Sequence, residues 1–251
     1  MRRTEFYNAL AGEMDFPAAE WDNDGVMCLP NADTQVRRVL CTLDVTEAVV
    51  EYAVSEGFDL ILSHHPLLFS AVKAVTPWNP TSAMLLKLIK ADIAVFSFHT
   101  RADKACGGVN DRLAELLGIE NALPFGEGEL GRVGEVEEMT LEDFIYKVKT
   151  ALGADVVKYS DGYNTVKRVA LVGGDGKDFV SDAIKCGADT YLSGRISYNL
   201  MEEAAELGIN LIEAGHYHTE VLVLDFLAEL LNTYDMSLTV DFADSNMIEI
   251  I

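Results

Sequence analysis

From Val39 onward, short apolar runs alternate with stretches of helical spacing, and that alternation restricts the chain to α/β architectures with a mainly parallel or mixed sheet covered by helices. Val39 to Leu43 is an apolar run ending at Asp44, and Thr46 to Glu56 follows with helical periodicity up to Gly57. The pattern returns as strand Phe58 to Leu62, helix Ser82 to Ala91, strand Ile93 to Phe98, and helix Val109 to Leu117 closed by Gly118. The stretch Phe125 to Gly134 is dense in glycine and reads as a loop, the candidate boundary between two domains. A second alternating unit then begins. It has helix Leu141 to Leu152, strands near Val156 to Tyr159 and Arg168 to Val172, and helix Phe179 to Cys186. Strand Thr190 to Leu192, helix Tyr198 to Leu207 and strand Asn210 to Glu213 complete it. A last helix, Val221 to Leu231, and a strand, Ser237 to Phe242, close the chain.

At 251 residues, with 49% hydrophobic and 24% charged residues, the chain has globular composition and room for two cores. Forty-one acidic against 19 basic residues give a net charge of -22, which argues against nucleic acid and anionic membranes as partners and favours a solvated acidic surface. The four cysteines are scattered without a C-x-x-C pair, so neither a zinc knuckle nor a disulfide framework is expected and a reducing compartment fits. No signal peptide or membrane span is legible, and a cytoplasmic location is the expectation.

All five histidines fall in three short segments, LSHHP, FSFHTRAD and AGHYHTE, each directly after an expected strand. Ligands of open α/β sheets collect outside the carboxyl ends of strands, so segments distant in sequence can converge there. Histidine with carboxylate is the donor set of zinc, manganese, iron or nickel. Adjacent side chains of an extended chain point to opposite faces, so His64 and His65 suit two neighbouring ions rather than one. Two cations about 3.5 to 4 Å apart need a bridging carboxylate, for which Asp103 and Glu220 are the candidates. His216 and Glu220, four apart, share a face if a helix starts at His216. Since His216 belongs by its chemistry with His64 and His65, the C-terminal tail is expected to fold back onto the first domain. That gives a first domain of residues 1–126 completed by 214–251, with 127–213 inserted.

Asn23, Asp24 and Gly25 read as an ordinary turn. Gly173, Gly174 and Gly176 follow a strand but lack the Lys-Ser/Thr pair of a phosphate loop and also read as a turn. Gly107 and Gly108 read as backbone that must pass close to the metals before a helix starts.

Assembled, these segments resemble the Nif-three-like family, also called GTP cyclohydrolase I type 2 homologues. The likeness runs nearly end to end: WDNDGVM at Trp21 to Met27, LSHHPLLF at Leu62 to Phe69, HTRADKACGGVNDRLAELLG at His99 to Gly118, GADTYLSG at Gly187 to Gly194, and GHYHTE at Gly215 to Glu220. The resemblance implies two α/β domains, the second inserted before the C-terminal segment, and ring-shaped homohexamers. It assigns His65 and Asp103 to one ion and His64 and His216 to the other, with Glu220 bridging. It sets His99 beside the site, as a support of the ligands or a proton donor rather than a ligand, and Trp21 to Gly25 close by. His218 falls where the family pattern is loose, and Arg195 replaces a common acidic residue. The implied function is a dinuclear hydrolase acting on an anionic, nucleotide-like substrate; the alternatives are a metal carrier and a scaffold for protein partners.

Overall fold

The computed structural model describes residues 1–14, 17–234 and 237–249. It divides into two compact units, Met1–Ala102 with Val223–Ile248, and a second that begins at Asp103 and runs to Leu222.

The first unit opens with helix α1 (Arg3–Glu13), followed by strands β1 (Gly25–Cys28) and β2 (Arg38–Thr42), helix α2 (Glu47–Glu56), strand β3 (Leu60–Ser63), helix α3 (Pro80–Ala91) and strand β4 (Ala94–Ser97). Local chemistry sets the helix ends. The Thr46 hydroxyl accepts from the Val49 N–H and Gly57, at φ 68°, stops α2 in a left-handed turn; Asn79 caps α3, with Pro80 in its first turn. Strands β2, β3 and β4 run parallel and β1 adds antiparallel to β4. Val49, Val50 and Ala53 of α2 and Leu85 and Leu88 of α3 cover this sheet by packing on Leu40, Ile61 and Val95. Helix α1 carries a fully buried arginine: Arg3 Nη1 donates to Asn31 O at 3.0 Å and Asp92 Oδ1 at 2.9 Å, and Nη2 to Asp59 O at 2.8 Å.

Helix α4 (Thr100–Lys104) carries the chain into the second unit. There follow α5 (Val109–Leu116), β5 (Glu120–Phe125), β6 (Gly131–Met139), α6 (Leu141–Leu152), β7 (Lys158–Ser160), β8 (Val166–Val172), α7 (Val180–Lys185), β9 (Thr190–Ser193), α8 (Tyr198–Glu202), α9 (Ala204–Leu207), β10 (Asn210–Glu213) and α10 (His216–Glu220). The sheet order is β5-β6-β8-β9-β10-β7, parallel from β8 to β10 and antiparallel elsewhere. One face is covered by α5 and α6 through Leu113, Phe144 and Val148, the other by α7 and α9 through Val180, Ala183 and Ala204. The glycine-rich stretch expected to be a loop is instead the turn and start of a hairpin, because Gly131 and Gly134 let β5 and β6 approach. A Cβ on Gly134 would stand 2.5 Å from Glu120 O, and one on Gly131 2.2 Å from the Phe125 ring.

Helix α11 (Val223–Tyr234) and strand β11 (Thr239–Ala243) then return to the first unit, where β11 pairs parallel with β2, Val240 opposite Val39. The tail therefore completes the first sheet. His216 and Glu220, expected to travel with it, fold with the second unit directly after β10. Among the described residues no helix is long and apolar enough to cross a membrane.

Candidate metal centre

In the first unit the histidine pair sits at the end of β3, where the ladder to β2 continues beyond the strand: the His64 N–H donates to Thr42 O at 3.2 Å and the His65 N–H to Leu43 O at 2.9 Å. The Ser63 hydroxyl holds the His65 carbonyl at 2.9 Å and meets the Ser97 hydroxyl at 2.7 Å, tying the ends of β3 and β4 together. His99 follows β4. The chain bends after Ser63, so the two adjacent rings are not opposed across the sheet: the centroids of His64 and His65 are 5.0 Å apart, and His99 lies 5.2 and 5.5 Å from them. One nitrogen from each of the three lies within 4.8 Å of the others.

Each imidazole is held from behind at Nδ1. His64, fully buried, bonds the Phe98 carbonyl at 3.0 Å, His65 bonds Asp44 Oδ1 at 2.7 Å, and His99 bonds Asp22 Oδ1 at 2.8 Å. These oxygens accept, so each Nδ1 donates and Nε2 is the nitrogen turned away from the support, the orientation of metal-binding histidines. Asp22 does more. Its Oδ2 accepts from the Thr100 N–H at 3.1 Å and hydroxyl at 2.7 Å. Burial opposes its ionisation, but the hydrogen bond and charge of His99, with the Thr100 bonds, outweigh that and lower its pKa to about 2. Asp24 accepts the His99 backbone N–H at 2.8 Å and pairs with Arg101 at 2.7 Å; burial nevertheless pushes its carboxyl up.

In the second unit, Glu220 and Asp103 are buried, 3% and 7% exposed, with carboxylate oxygens within 4.8 Å of each other. His216 Nε2 stands 2.8 Å from Glu220 Oε2, so the i,i+4 pair does share one face of α10. Backbone has been cleared for this pair: a Cβ on Gly174 would lie 2.0 Å from Glu220 Oε1 and 3.3 Å from His216 Nε2. The Gly173, Gly174 and Gly176 N–H groups are spent on Asn110 Oδ1, Thr219 Oγ1 and Ser193 Oγ, so this loop is the expected packed turn and cradles no phosphate. His218 packs edge-on against Tyr217, and Arg195 faces Asp175 at 3.6 Å.

The donor chemistry fits divalent cations. Two buried carboxylates this close are stabilised by a cation between them, and imidazole with carboxylate suits zinc, manganese, iron or nickel. Asp22, Asp24 and Asp44 were not singled out from sequence as supports. Asp44 carried a legible signal, an acid two residues past the end of the strand beside β3. Asp24 reads from sequence as a turn residue, and only the resemblance sets Asp22, within Trp21 to Gly25, close by.

The family model for Duf34/NIF3 (NGG1p interacting factor 3) matches residues 1–248. A Clostridium perfringens protein named GTP cyclohydrolase 1 type 2 homolog is 36% identical over 217 residues, 83% of this chain and 82% of its own. A Lactococcus lactis protein of the same name is 33% identical, covering 89% and 88%. A crystal structure of a Staphylococcus aureus protein superposes with a TM-score of 0.88 at 26% identity, covering 100% of this chain and 99% of that one. The chain belongs to the Duf34/NIF3 family.

Proposed function

We propose that His64, His65, Asp103, His216 and Glu220 hold two divalent cations, with Glu220 shared, and that the protein is a metal-dependent hydrolase acting on a nucleotide-like substrate. Ring opening of a purine nucleotide such as GTP, the chemistry suggested by the names of its relatives, is the candidate reaction. The observation that carries this reading is the holding of the His64 and His65 imidazoles at Nδ1 by Phe98 O and Asp44, since metal-binding histidines are oriented in that way. When bound, the cation pair supplies Lewis acidity and makes water a nucleophile at neutral pH. The chain's own residues do the rest. His99 stays outside the ligand set and moves a proton at Nε2. Asp22 stabilises the protonated ring, and Asp24 fixes its backbone. Assembly as a ring-shaped homohexamer belongs to the same reading.

A second reading, a carrier that hands its metal on, draws support from the 44% exposure of the His216 side chain, where a bound ion would be accessible. The variant His99→Gln separates the two. A hydrolase should keep its metal and lose about a hundredfold or more in GTP turnover, the scale of a positioned acid or base. Unchanged turnover removes His99 from the chemistry, and a wild type inactive on a nucleotide panel with every divalent metal gives the carrier reading the lead.

A further inference from the structure

Trp21 and Phe69 are large apolar side chains that stand 63% and 55% exposed beside the three histidines. Their rings lie 6.3 Å apart, tilted by 52°, and each stands nearly perpendicular to the His99 imidazole, at 6.1 Å and 81° for Trp21 and 6.5 Å and 83° for Phe69. The two rings come from different loops, and those loops are tied together. The Asn23 amide donates to the Leu68 carbonyl, next to Phe69, while Asp22, next to Trp21, holds His99 and Thr100. Phe69 also borders a cavity of about 600 Å³ lined in part by Pro66, Leu67, Lys73 and Asn79, and Lys73 is the one charged residue of that lining, in a chain of net charge -22.

Two adjoining exposed aromatic rings at a polar site are a surface on which a planar ligand can stack. A third ring cannot slide between these two, because intercalation needs about 7 Å, two contact distances of roughly 3.5 Å. A planar ligand instead stacks on the solvent-facing side of one ring. Lys73 disfavours a cationic ligand and suits an anionic one, and the cavity has the size of an ordinary small-molecule site.

We infer that Trp21 and Phe69 form the stacking platform of a nucleotide site, setting a planar base against His99 and its phosphate in the cavity beside Lys73. The inference rests on the nucleotide reading of the function, but it concerns binding and does not require metal.

Trp78→Phe leaves Trp21 as the only tryptophan, since the chain has two. In that background, GMP, guanosine and ribose 5-phosphate are titrated against metal-free and metal-loaded protein, reading tryptophan quenching, with calorimetry for affinity. GMP and guanosine should quench and ribose 5-phosphate should not. Phe69→Ala, and Trp21→Ala read by calorimetry, should each weaken GMP by roughly five- to a hundredfold, the scale of one base–aromatic stack, at unchanged metal content. Lys73→Ala should remove the advantage of GMP over guanosine. Equal affinity for ribose 5-phosphate and GMP, or alanine variants within twofold of the parent, would overturn the inference. Base binding in a protein that takes up no metal would sink the hydrolase reading and leave the platform standing; metal-dependent turnover indifferent to Trp21 and Phe69 would do the reverse.

Discussion

Gly174→Ala places a methyl group where Glu220 stands. The new Cβ would lie 2.0 Å from Glu220 Oε1 and 2.8 Å from its Cδ, and with Glu220 only 3% exposed the carboxylate must leave its place beside His216. Gly174 also has φ +65°, a conformation that costs an L-residue about 1–2 kcal/mol. Each kcal/mol lowers the melting temperature of a chain this size by about 2–4 °C, so the backbone alone accounts for a fall of roughly 2–8 °C. Gly153→Ala is the matched control, with φ +60° and nothing within 4 Å of its Cβ. It should show the backbone penalty and bind metal normally. Gly174→Ala should melt lower still and lose about ten- to a hundredfold in metal affinity, the scale found when the support of a ligand is disturbed. Thermal unfolding followed by circular dichroism and competitive metal titration measure both. Wild-type metal affinity in Gly174→Ala would refute the claim that Glu220 is a ligand cradled by that glycine.

Asp22 has a folded pKa of about 2, below its unfolded value of about 3.9. Its contribution to stability is therefore complete above about pH 5 and disappears as the pH falls toward 2, so Asp22→Asn should flatten the acid limb of the stability profile; an identical limb in the variant refutes this. Glu220→Gln should weaken both metals, because a bridge is shared, while His64→Ala should chiefly empty one; competitive titration showing equal loss from both sites in His64→Ala contradicts the shared-bridge arrangement.

Much of the fold was legible where periodicity and caps agree. Helix Leu141–Leu152 lies between Thr140, whose hydroxyl accepts from the Asp143 N–H, and left-handed Gly153, and strand Asn210–Glu213 follows Gly208 with Leu211 and Ile212 at its centre. Strand Gly131–Met139 was hidden because its glycines serve close strand approach rather than a turn, a distinction that only the facing Glu120 carbonyl and Phe125 ring make. Helix Arg3–Glu13 was hidden because its buried face includes Arg3 beside Phe6 and Leu10, which breaks the apolar pattern. The histidines and carboxylates were readable from donor chemistry as candidates. Their supports were not: Asp44 reaches His65 only because β2 lies beside β3, and Asp22 reaches His99 across 77 residues of sequence. Tertiary pairings of that kind leave no mark on local spacing.

Element analysis of the 251-residue protein after reconstitution and removal of loose metal tests the proposed dinuclear centre most directly. Five ligands serving two sites, with Glu220 shared, predict two divalent ions per chain at saturation. One ion per chain, or none, would contradict it.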